Sequence, residues 1–226
     1  MIKFILIDIE GTTTDKSFVY ETLFPYFKQN MVAFIKKNED QTEVGKVLQE
    51  VKDTVLKEEA RLLDDSEAIK QLIIWTDIDR KHSALKQLQG MVWKAGYQQG
   101  TLNGHVYPEV PPALQKWHRL HIGLGIYSSG SVSAQKLLFR HSVAGDLTPF
   151  FSHYFDTHVG HKQEVTSYQN IQQQIEIPAN QILFLSDVEG ELEAARLAGM
   201  QVKHLVRKGT IPSLKFIPVP DFTFTL

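Results

Sequence analysis

Lys-Phe-Ile-Leu-Ile-Asp-Ile-Glu-Gly-Thr, at residues 3–12, is the stretch that decides the fold. Residues 3–7 form a short apolar run without polar alternation, which is typical of a strand covered on both faces in a parallel sheet. The run ends on two carboxylates, Asp8 and Glu10, and then breaks at Gly11. Because strand side chains alternate, both carboxylates are expected on the same side. The stretch predicts an inner strand with acidic chemistry at its end.

Similar apolar runs occur at residues 122–127, 181–185 and 201–206. Between the last two, residues 190–199 form a helix-favouring segment closed by a glycine, which predicts a strand–helix–strand unit with a right-handed crossover. The predicted fold class is therefore α/β, with a Rossmann-like parallel sheet as its core.

Residues 17–99 show a different pattern, with apolar side chains at helical spacing and no good strand. The recurring positions are Val44, Val47, Leu48, Val51, Val55, Leu56, Leu85, Leu88, Val92 and Ala95. We expect residues 16–99 to be a helical cap inserted after the first strand, and residues 1–15 and 100–226 to form the α/β core. The tail beyond residue 211 is expected to add a last short strand or an ordered end.

Composition narrows the possible functions. With 226 residues, of which 42% are hydrophobic, the chain is long enough to bury a full core. The absence of cysteine excludes disulfides, thiolate catalysis and cysteine-ligated zinc. A net charge of -2 leaves no global basic field for nucleic acid or an anionic membrane. No apolar run has the length of a signal peptide or a membrane span, so a cytoplasmic protein is expected, and we also expect a monomer.

Polar and charged side chains follow the predicted strands, where an open parallel sheet binds its ligands. These candidates are Asp8, Glu10, Ser128, Ser129, Lys162, Asp187 and Glu191. If Asp8 and Asp187 met, their repulsion at about 4 Å would be roughly 4 kcal/mol at an effective dielectric near 20, so a proton, a cation or a lysine is needed between them. Carboxylates without cysteine or paired histidines favour magnesium over zinc. Magnesium held by so few carboxylates typically completes its shell with water and a substrate phosphate.

The remaining candidates suit that phosphate. Ser128 and Ser129 supply hydroxyl donors, Gly130 exposes its backbone amide, and residues 131–138 are expected to form a helix whose N-terminus faces the anion. Lys162 adds a point charge.

A phosphate bound in this way would lie within reach of two acidic residues with different tasks. Asp8 is expected to attack phosphorus as a nucleophile, giving an aspartyl-phosphate that water hydrolyses. Glu10 is expected to protonate the leaving oxygen and then to activate that water.

These sites resemble the four motifs of the haloacid-dehalogenase-like superfamily with a cap after the first motif. Within it, the chain is more similar to the enolase-phosphatase family of the methionine salvage pathway. The stretches that carry this likeness are Asp-Ile-Glu-Gly-Thr-Thr-Thr at 8–14, Ala-Leu-Lys-Gln-Leu-Gln-Gly at 84–90 with Trp93, Tyr-Ser-Ser-Gly-Ser-Val at 127–132, Ala-Gln-Lys-Leu-Leu-Phe at 134–139, Phe-Asp-Thr at 155–157 and Gly-His-Lys at 160–162. The likeness extends to about residue 207.

The resemblance implies one magnesium ion per subunit, bound by the side chains of Asp8 and Asp187 and the backbone carbonyl of Glu10. It implies that Ser128, Ser129 and Lys162 contact the substrate phosphate. The implied substrate is 2,3-diketo-5-methylthiopentyl-1-phosphate, which is enolised and then dephosphorylated to acireductone.

Several alternatives stay open at this point. The enolisation base is Glu10, Glu191 or His161. A general phosphate monoesterase would use the same residues without enolisation, and a catalytically silent sensor of a phosphorylated ligand would bind without turnover. Dehalogenation is disfavoured, because it has no use for Glu10 or a magnesium site.

Overall fold

A computed structural model describes every residue of the chain, 1–226, and shows two compact units. Residues 1–16 and 103–226 form the first unit, and residues 17–102 form the second. The helices are α1 (Phe24–Lys37), α2 (Thr42–Glu59), α3 (Asp65–Asp77), α4 (Ser83–Gln98), α5 (Val110–Arg119), α6 (Val132–Arg140), α7 (Val165–Ile175) and α8 (Glu189–Leu197). None of them combines the length and the apolar character that crossing a membrane requires.

The first unit is built on a six-stranded sheet in which every neighbouring pair is parallel. Its strands are β1 (Phe4–Ile7), β2 (Gly123–Tyr127), β3 (His153–Phe155), β4 (Ile182–Ser186), β5 (Gln201–Leu205) and β6 (Pro218–Val219). All four residues of β1 are buried, as its unbroken apolar run predicts. The predicted α/β class with a Rossmann-like parallel sheet is confirmed.

The strand order β3-β2-β1-β4-β5-β6 places β1 at the centre of the sheet. The chain builds outward from β1 through β2 and β3 on one side, and continues from β4 to β6 on the other. Ile7 is in register with Ile126 of β2 and Leu185 of β4. The strands on both sides of this reversal therefore end at one edge, where open α/β sheets bind their ligands.

Helices α7 and α8 cover the face of the sheet that carries Phe4. Tyr168 of α7 and Leu192 of α8 lie in one buried cluster with Phe4 and Phe184. Gly123 and Gly125 leave room for the Phe4 ring, since a Cβ at either position would lie within 3 Å of a ring carbon. This packing holds the central strand in place beneath the functional edge.

Two short strands show the limits of the sequence pattern. β3 was not predicted from the sequence, because its three residues are too short for a periodic signal and two of them are half-buried. For the tail beyond residue 211, the sequence predicted either a last short strand or an ordered end. β6 is that short strand, and it pairs with β5 through Leu205 and Val219.

The second unit contains helices α1 to α4. Val44, Val47, Leu48, Val51 and Val55 of α2 are buried in its apolar core, as their spacing predicts. Leu56, assigned to the same stripe, is 45% exposed, because it lies about 100° around the helix from Val55. The unit has a hydrophobic core of its own.

Candidate active site

Three polar residues directly follow strands at the carboxyl edge of the sheet. Asp8 follows β1, Ser128 follows β2 and Asp187 follows β4, and all three are buried. The amide of Asp8 donates to the carbonyl of Leu185, 3.0 Å away, which continues the ladder beyond the last residue of β1. The backbone of Asp8 is thereby held against the strand that carries Asp187.

The loop after Asp8 turns sharply. The amides of Thr12, Thr13 and Thr14 all donate to the carbonyl of Ile9, at 3.2, 2.9 and 3.0 Å. Since β1 ends at Ile7, the strand alternation expected to align Asp8 with Glu10 does not extend to Glu10. The position of Glu10 therefore depends on this turn and not on the alternation of side chains along β1.

Gly11 is required in this turn for two reasons. Its φ of +77° lies in the left-handed region that side chains disfavour. A Cβ at this position would also lie 2.4 Å from Oδ2 of Asp187. The glycine thus lets the loop approach the second acidic strand end.

Lys162 links two buried carboxylates. Its Nζ donates to Oδ1 of Asp8 and lies 2.8 Å from Oε2 of Glu191, which also accepts a hydrogen bond from Ser186 at 2.9 Å. The hydroxyl of Tyr168 donates to the Lys162 carbonyl at 2.7 Å and holds the loop backbone. The structure therefore brings together Asp8, Lys162 and Glu191, three of the residues singled out from the sequence.

The charges of this cluster shift one another's protonation. Burial alone would lower the pKa of Lys162, but the negative charges of Asp8 and Glu191 raise it above its usual value. Burial and the charge of Asp8 raise the pKa of Glu191 to about 7, against the opposing effect of Lys162. Lys162 is therefore a permanent cation beside Asp8.

Thr12 holds the other oxygen of Asp8. Its Oγ1 donates to Oδ2 at 3.3 Å, while Lys162 contacts Oδ1. Both oxygens of the buried carboxylate are thus oriented by the protein. Thr12 was not chosen as a functional residue from the sequence, because its hydroxyl meets Asp8 only once the loop has turned.

Asp187 is the candidate metal ligand with spare coordination capacity. Its side chain is fully buried, Oδ1 has no hydrogen-bond partner, and the Lys16 ammonium lies 2.5 Å from Oδ2 in an ion pair. Burial and the charge of Asp8 raise the pKa of Asp187, although Lys16 opposes this. A buried carboxylate with an unpartnered oxygen suits a hard cation.

The donor set fits magnesium better than zinc. No three His, Cys, Asp or Glu side chains gather to hold an ion, so a closed site made of side chains alone is not available. Magnesium needs only one or two carboxylates and keeps several waters. Asp8 and Asp187 are two buried carboxylates at the ends of the neighbouring strands β1 and β4, which is the number of carboxylates that such a site needs.

The loop after β2, which carries Ser128 and Ser129, is fixed by hydrogen bonds from Gln135 of α6. Nε2 of Gln135 donates to the carbonyls of Gly130 and Phe155, at 2.7 and 2.8 Å. The amide of Gly130 donates to Oγ of Ser128 at 3.2 Å. Ser128 is buried and Ser129 is half-buried, and these hydrogen bonds fix the backbone that carries their hydroxyl groups.

Two amides at the N-terminus of α6, which is expected to face the substrate phosphate, already have partners within the protein. The amide of Val132 donates to Oδ2 of Asp156 at 3.2 Å, and the amide of Ala134 donates to Oγ of Ser131 at 3.3 Å. Burial alone would raise the pKa of Asp156, but hydrogen bonds from His158 and Val132 lower it. A protein carboxylate therefore already occupies part of this helix terminus.

His153, His158 and His161 each make a different contact with neighbouring residues. His158 contacts Asp156 at 2.6 Å through Nδ1, and Nδ1 of His161 accepts from the amide of Gln163 at 3.3 Å. His153 packs against the rings of Phe4 and Phe155. These three contacts differ from one another and do not form a shared metal site.

His204 supports the backbone of Asp187. Its Nδ1 accepts from the amide of Ser213 at 3.2 Å, so the ring proton lies on Nε2, which donates to the Asp187 carbonyl at 3.1 Å. His204 is buried on β5. The sequence showed only a histidine in a strand, without any sign of this contact.

Arg207 braces the loop that carries Thr12. Its Nη2 and Nε donate to the Thr12 carbonyl at 2.8 and 3.3 Å, and Nη2 lies 2.6 Å from Oε1 of Glu109. The guanidinium carbon stacks 4.0 Å from the centre of the Tyr107 ring, whose hydroxyl donates to Asp15 at 3.2 Å. Arg207 thereby connects the turn at Thr12 to Tyr107 and Glu109, which lie about a hundred residues before it in the chain.

Arg207→Met is expected to lower kcat about tenfold to a hundredfold, because loss of the brace displaces the Thr12 hydroxyl from Asp8 by a fraction of an ångström. KM is expected to change little, since the contacts of Arg207 are with the loop backbone, Glu109 and Tyr107. Steady-state kinetics measure the split, and Arg207→Lys is expected to recover part of kcat. Arg196→Met, which removes an exposed arginine paired with Glu193, is the matched control. A raised KM with unchanged kcat would contradict the positioning role.

Comparison with known proteins identifies the family to which the chain is similar. The family model for haloacid dehalogenase-like hydrolases matches residues 2–199. Enolase-phosphatase E1 of a Picosynechococcus species is 50% identical over 222 residues, which cover 98% of this chain and 97% of the relative. Enolase-phosphatase E1 of Erwinia tasmaniensis is 49% identical over 222 residues, with 98% and 96% covered.

Solved structures give the same result for the fold. The crystal structure of the UTR4 protein of Saccharomyces cerevisiae matches all of both chains with a TM-score of 0.82 and 32% identity. The L-2-haloacid dehalogenase of Xanthobacter autotrophicus matches 98% of this chain and 96% of its own, with a TM-score of 0.54 and 17% identity, and shares the fold alone. With its parallel sheet, its acidic strand ends and relatives of about half-identical sequence over nearly the full length, the chain belongs to the haloacid dehalogenase-like hydrolase family and, within it, to the enolase-phosphatase E1 family.

Proposed function

We propose that this chain is a magnesium-dependent enolase-phosphatase that converts 2,3-diketo-5-methylthiopentyl-1-phosphate to acireductone and phosphate in methionine salvage. The enolase-phosphatase E1 relatives support the reaction. The observation that carries the assignment of the nucleophile is the buried Asp8, whose two oxygens are held by Lys162 and Thr12. A carboxylate oriented in this way beside a permanent cation is suited to attack a phosphate dianion.

In the phosphoryl-transfer step, an oxygen of Asp8 forms a bond to phosphorus while the bond from phosphorus to the substrate oxygen breaks. Lys162 offsets the negative charge on the transferring group, and Ser128 and Ser129 donate hydrogen bonds to its oxygens. A water then attacks the aspartyl-phosphate, releases inorganic phosphate and regenerates Asp8.

Glu10 is assigned the proton transfers. It gives a proton to the leaving oxygen in the first step and takes one from the attacking water in the second. Enolisation also needs a base that removes a proton from carbon next to a carbonyl. Glu10 lies two residues after the nucleophile Asp8 in the loop that follows β1, and we assign this base to Glu10 as well; Glu191, whose Oε2 is held by Lys162 and Ser186, and His161 are the alternatives.

Magnesium is proposed to be held by the side chains of Asp8 and Asp187 and by the Glu10 carbonyl. When bound, it supplies positive charge that stabilises the transferring phosphoryl group and polarises the substrate carbonyl. The unpartnered Oδ1 of Asp187 supports this assignment. His204 holds the Asp187 backbone, which limits the directions in which its carboxylate can point.

Chelation of divalent cations is expected to lower phosphate release by at least about a hundredfold, because the metal provides several kcal/mol of charge stabilisation. The measurement is phosphate release with excess EDTA and after dialysis back into magnesium. Recovery on readdition separates metal loss from denaturation. Turnover that persists in EDTA would show that Lys162 and the backbone suffice.

The substrate assignment is tested by following both half-reactions on the diketo phosphate. The appearance of the enediol chromophore in the ultraviolet, together with phosphate release, is expected. Phosphate without an enol species would favour the general phosphate monoesterase, and no turnover of any phosphate ester would favour a silent sensor. An assignment of residues 16–99 as a cap, a monomeric state and a cytoplasmic location stay predictions.

A further inference from the structure

The side chain of Lys16 extends to Asp187, the carboxylate that follows β4. The side chain is 55% exposed, yet its Nζ lies 2.5 Å from Oδ2 of Asp187, whose own side chain has no exposed surface. The ammonium thus reaches a buried carboxylate from a solvent-facing position. Neither the spacing of the motifs nor the phosphoryl-transfer steps above give Lys16 a task.

The surroundings of this ammonium are those of a cation site. The ammonium meets Asp187 at the end of β4, next to the end of the neighbouring strand β1 that Asp8 follows. Lys16 is therefore paired directly with one of the side chains assigned to magnesium. Lys162, the other cation of the cluster, pairs with Asp8 and Glu191 instead.

The turn at Gly11 makes room for this contact. A Cβ added there would lie 2.4 Å from Oδ2 of Asp187 and 2.6 Å from Cε of Lys16. The space that a side chain would fill is bordered by the lysine chain and the carboxylate together. The Lys16 contact is therefore part of the packing of the loop rather than an isolated surface pair.

We infer that Lys16 is a further residue of the cation site, whose ammonium competes with a divalent cation for Asp187 and must withdraw as that cation binds. The inference rests on the proposed magnesium site and adds a residue that sets its affinity. Lys16 is suited to withdrawal because more than half of its side chain is already in solvent. Asp187 then has a positive partner in either condition.

The direction of the effect does not depend on which Asp187 oxygen the ion takes. A single positive charge about 5 Å from a divalent ion lowers the affinity of that ion by about tenfold even at the dielectric constant of water. If the ion takes Oδ2, the ammonium must leave altogether. In both cases, removal of the lysine charge is expected to strengthen magnesium binding.

The test is calorimetric titration of the full chain with magnesium chloride, without substrate, comparing wild type with Lys16→Met. Methionine keeps an unbranched side chain and removes the charge. We expect the magnesium Kd of Lys16→Met to be about tenfold lower, and the thermal midpoint in EDTA to fall because Asp187 has lost its counter-charge. Magnesium is expected to restore that midpoint, so the shift it produces is larger than in wild type.

Lys116→Met is the control for net charge. Lys116 is exposed on α5 near the end that precedes β2, at the opposite edge of the sheet, and its removal is expected to leave the magnesium Kd unchanged. An unchanged or weaker magnesium affinity in Lys16→Met overturns the inference. The inference is also overturned if the only effect of the substitution is a raised KM in steady-state kinetics, since that result would indicate a lost phosphate contact. If wild type binds no magnesium, the cofactor assignment fails together with this inference, whereas normal binding with no effect of Lys16→Met removes the inference alone.

Discussion

Asp8→Asn is expected to reduce phosphate release by on the order of 10⁵-fold, because an amide oxygen is a far weaker nucleophile than a carboxylate and no covalent intermediate forms. Asparagine is nearly the same size and retains an oxygen that can accept from Lys162 or Thr12. Lys162 keeps its second partner, Glu191, 2.8 Å away. The substitution therefore removes the attacking group with little disturbance of the packing.

Asp8→Asn is expected to abolish the covalent intermediate without destabilising the fold. Circular dichroism and the thermal midpoint of Asp8→Asn are expected to stay close to those of wild type. Intact-mass measurement after rapid acid quench is expected to show a phosphorylated chain for wild type and none for the variant. A phosphorylated Asp8→Asn chain, or turnover within tenfold of wild type, would show that another group attacks phosphorus.

Lys162→Met is expected to lower kcat by about 10³-fold to 10⁴-fold and to destabilise the fold as well. The catalytic part is the loss of the cation that offsets the transferring phosphate. The stability part is about 3–5 kcal/mol, because removing one member of a buried ion pair leaves the remaining charge without compensation. Here two carboxylates, Asp8 and Glu191, lose their shared partner. Phosphate-release kinetics and urea unfolding measure the two parts separately.

A second substitution separates these two parts. In Lys162→Met/Glu191→Gln one of the orphaned charges is removed, so the free energy of unfolding is expected to recover partly while kcat stays low. Lys116→Met serves again as the exposed lysine control. If kcat recovered with stability, Lys162 would be a structural residue and not a phosphate contact.

The stability lost in Lys162→Met is also expected to depend on pH. Glu191 has its pKa raised from 4.5 to about 7 even with Lys162 present, and loss of the lysine raises it further. A carboxyl whose folded pKa is raised binds more protons in the folded state, so stability is retained at low pH and is lost as pH rises above about 4.5. The deficit relative to wild type is therefore expected to be smaller at pH 5 than at pH 8.

The sequence by itself determined the fold class and the chemical nature of the strand ends. Unbroken apolar runs predict buried parallel strands because burial on both faces leaves no polar alternation. Carboxylates and a serine directly after such runs must gather at one edge, since parallel strands end together. The positions of Asp8, Ser128 and Asp187 at the strand ends follow from these two rules and the sequence alone.

Only the tertiary structure decided how these groups are paired. Lys162 is shared by Asp8 and Glu191, Lys16 meets Asp187, and Arg207 braces the carbonyl of Thr12. These contacts join segments far apart in the chain, and their geometry depends on loop turns and helix packing that no local period encodes. Periodicity records which face of one element is buried, whereas the partner of a charged side chain depends on the position of a second element.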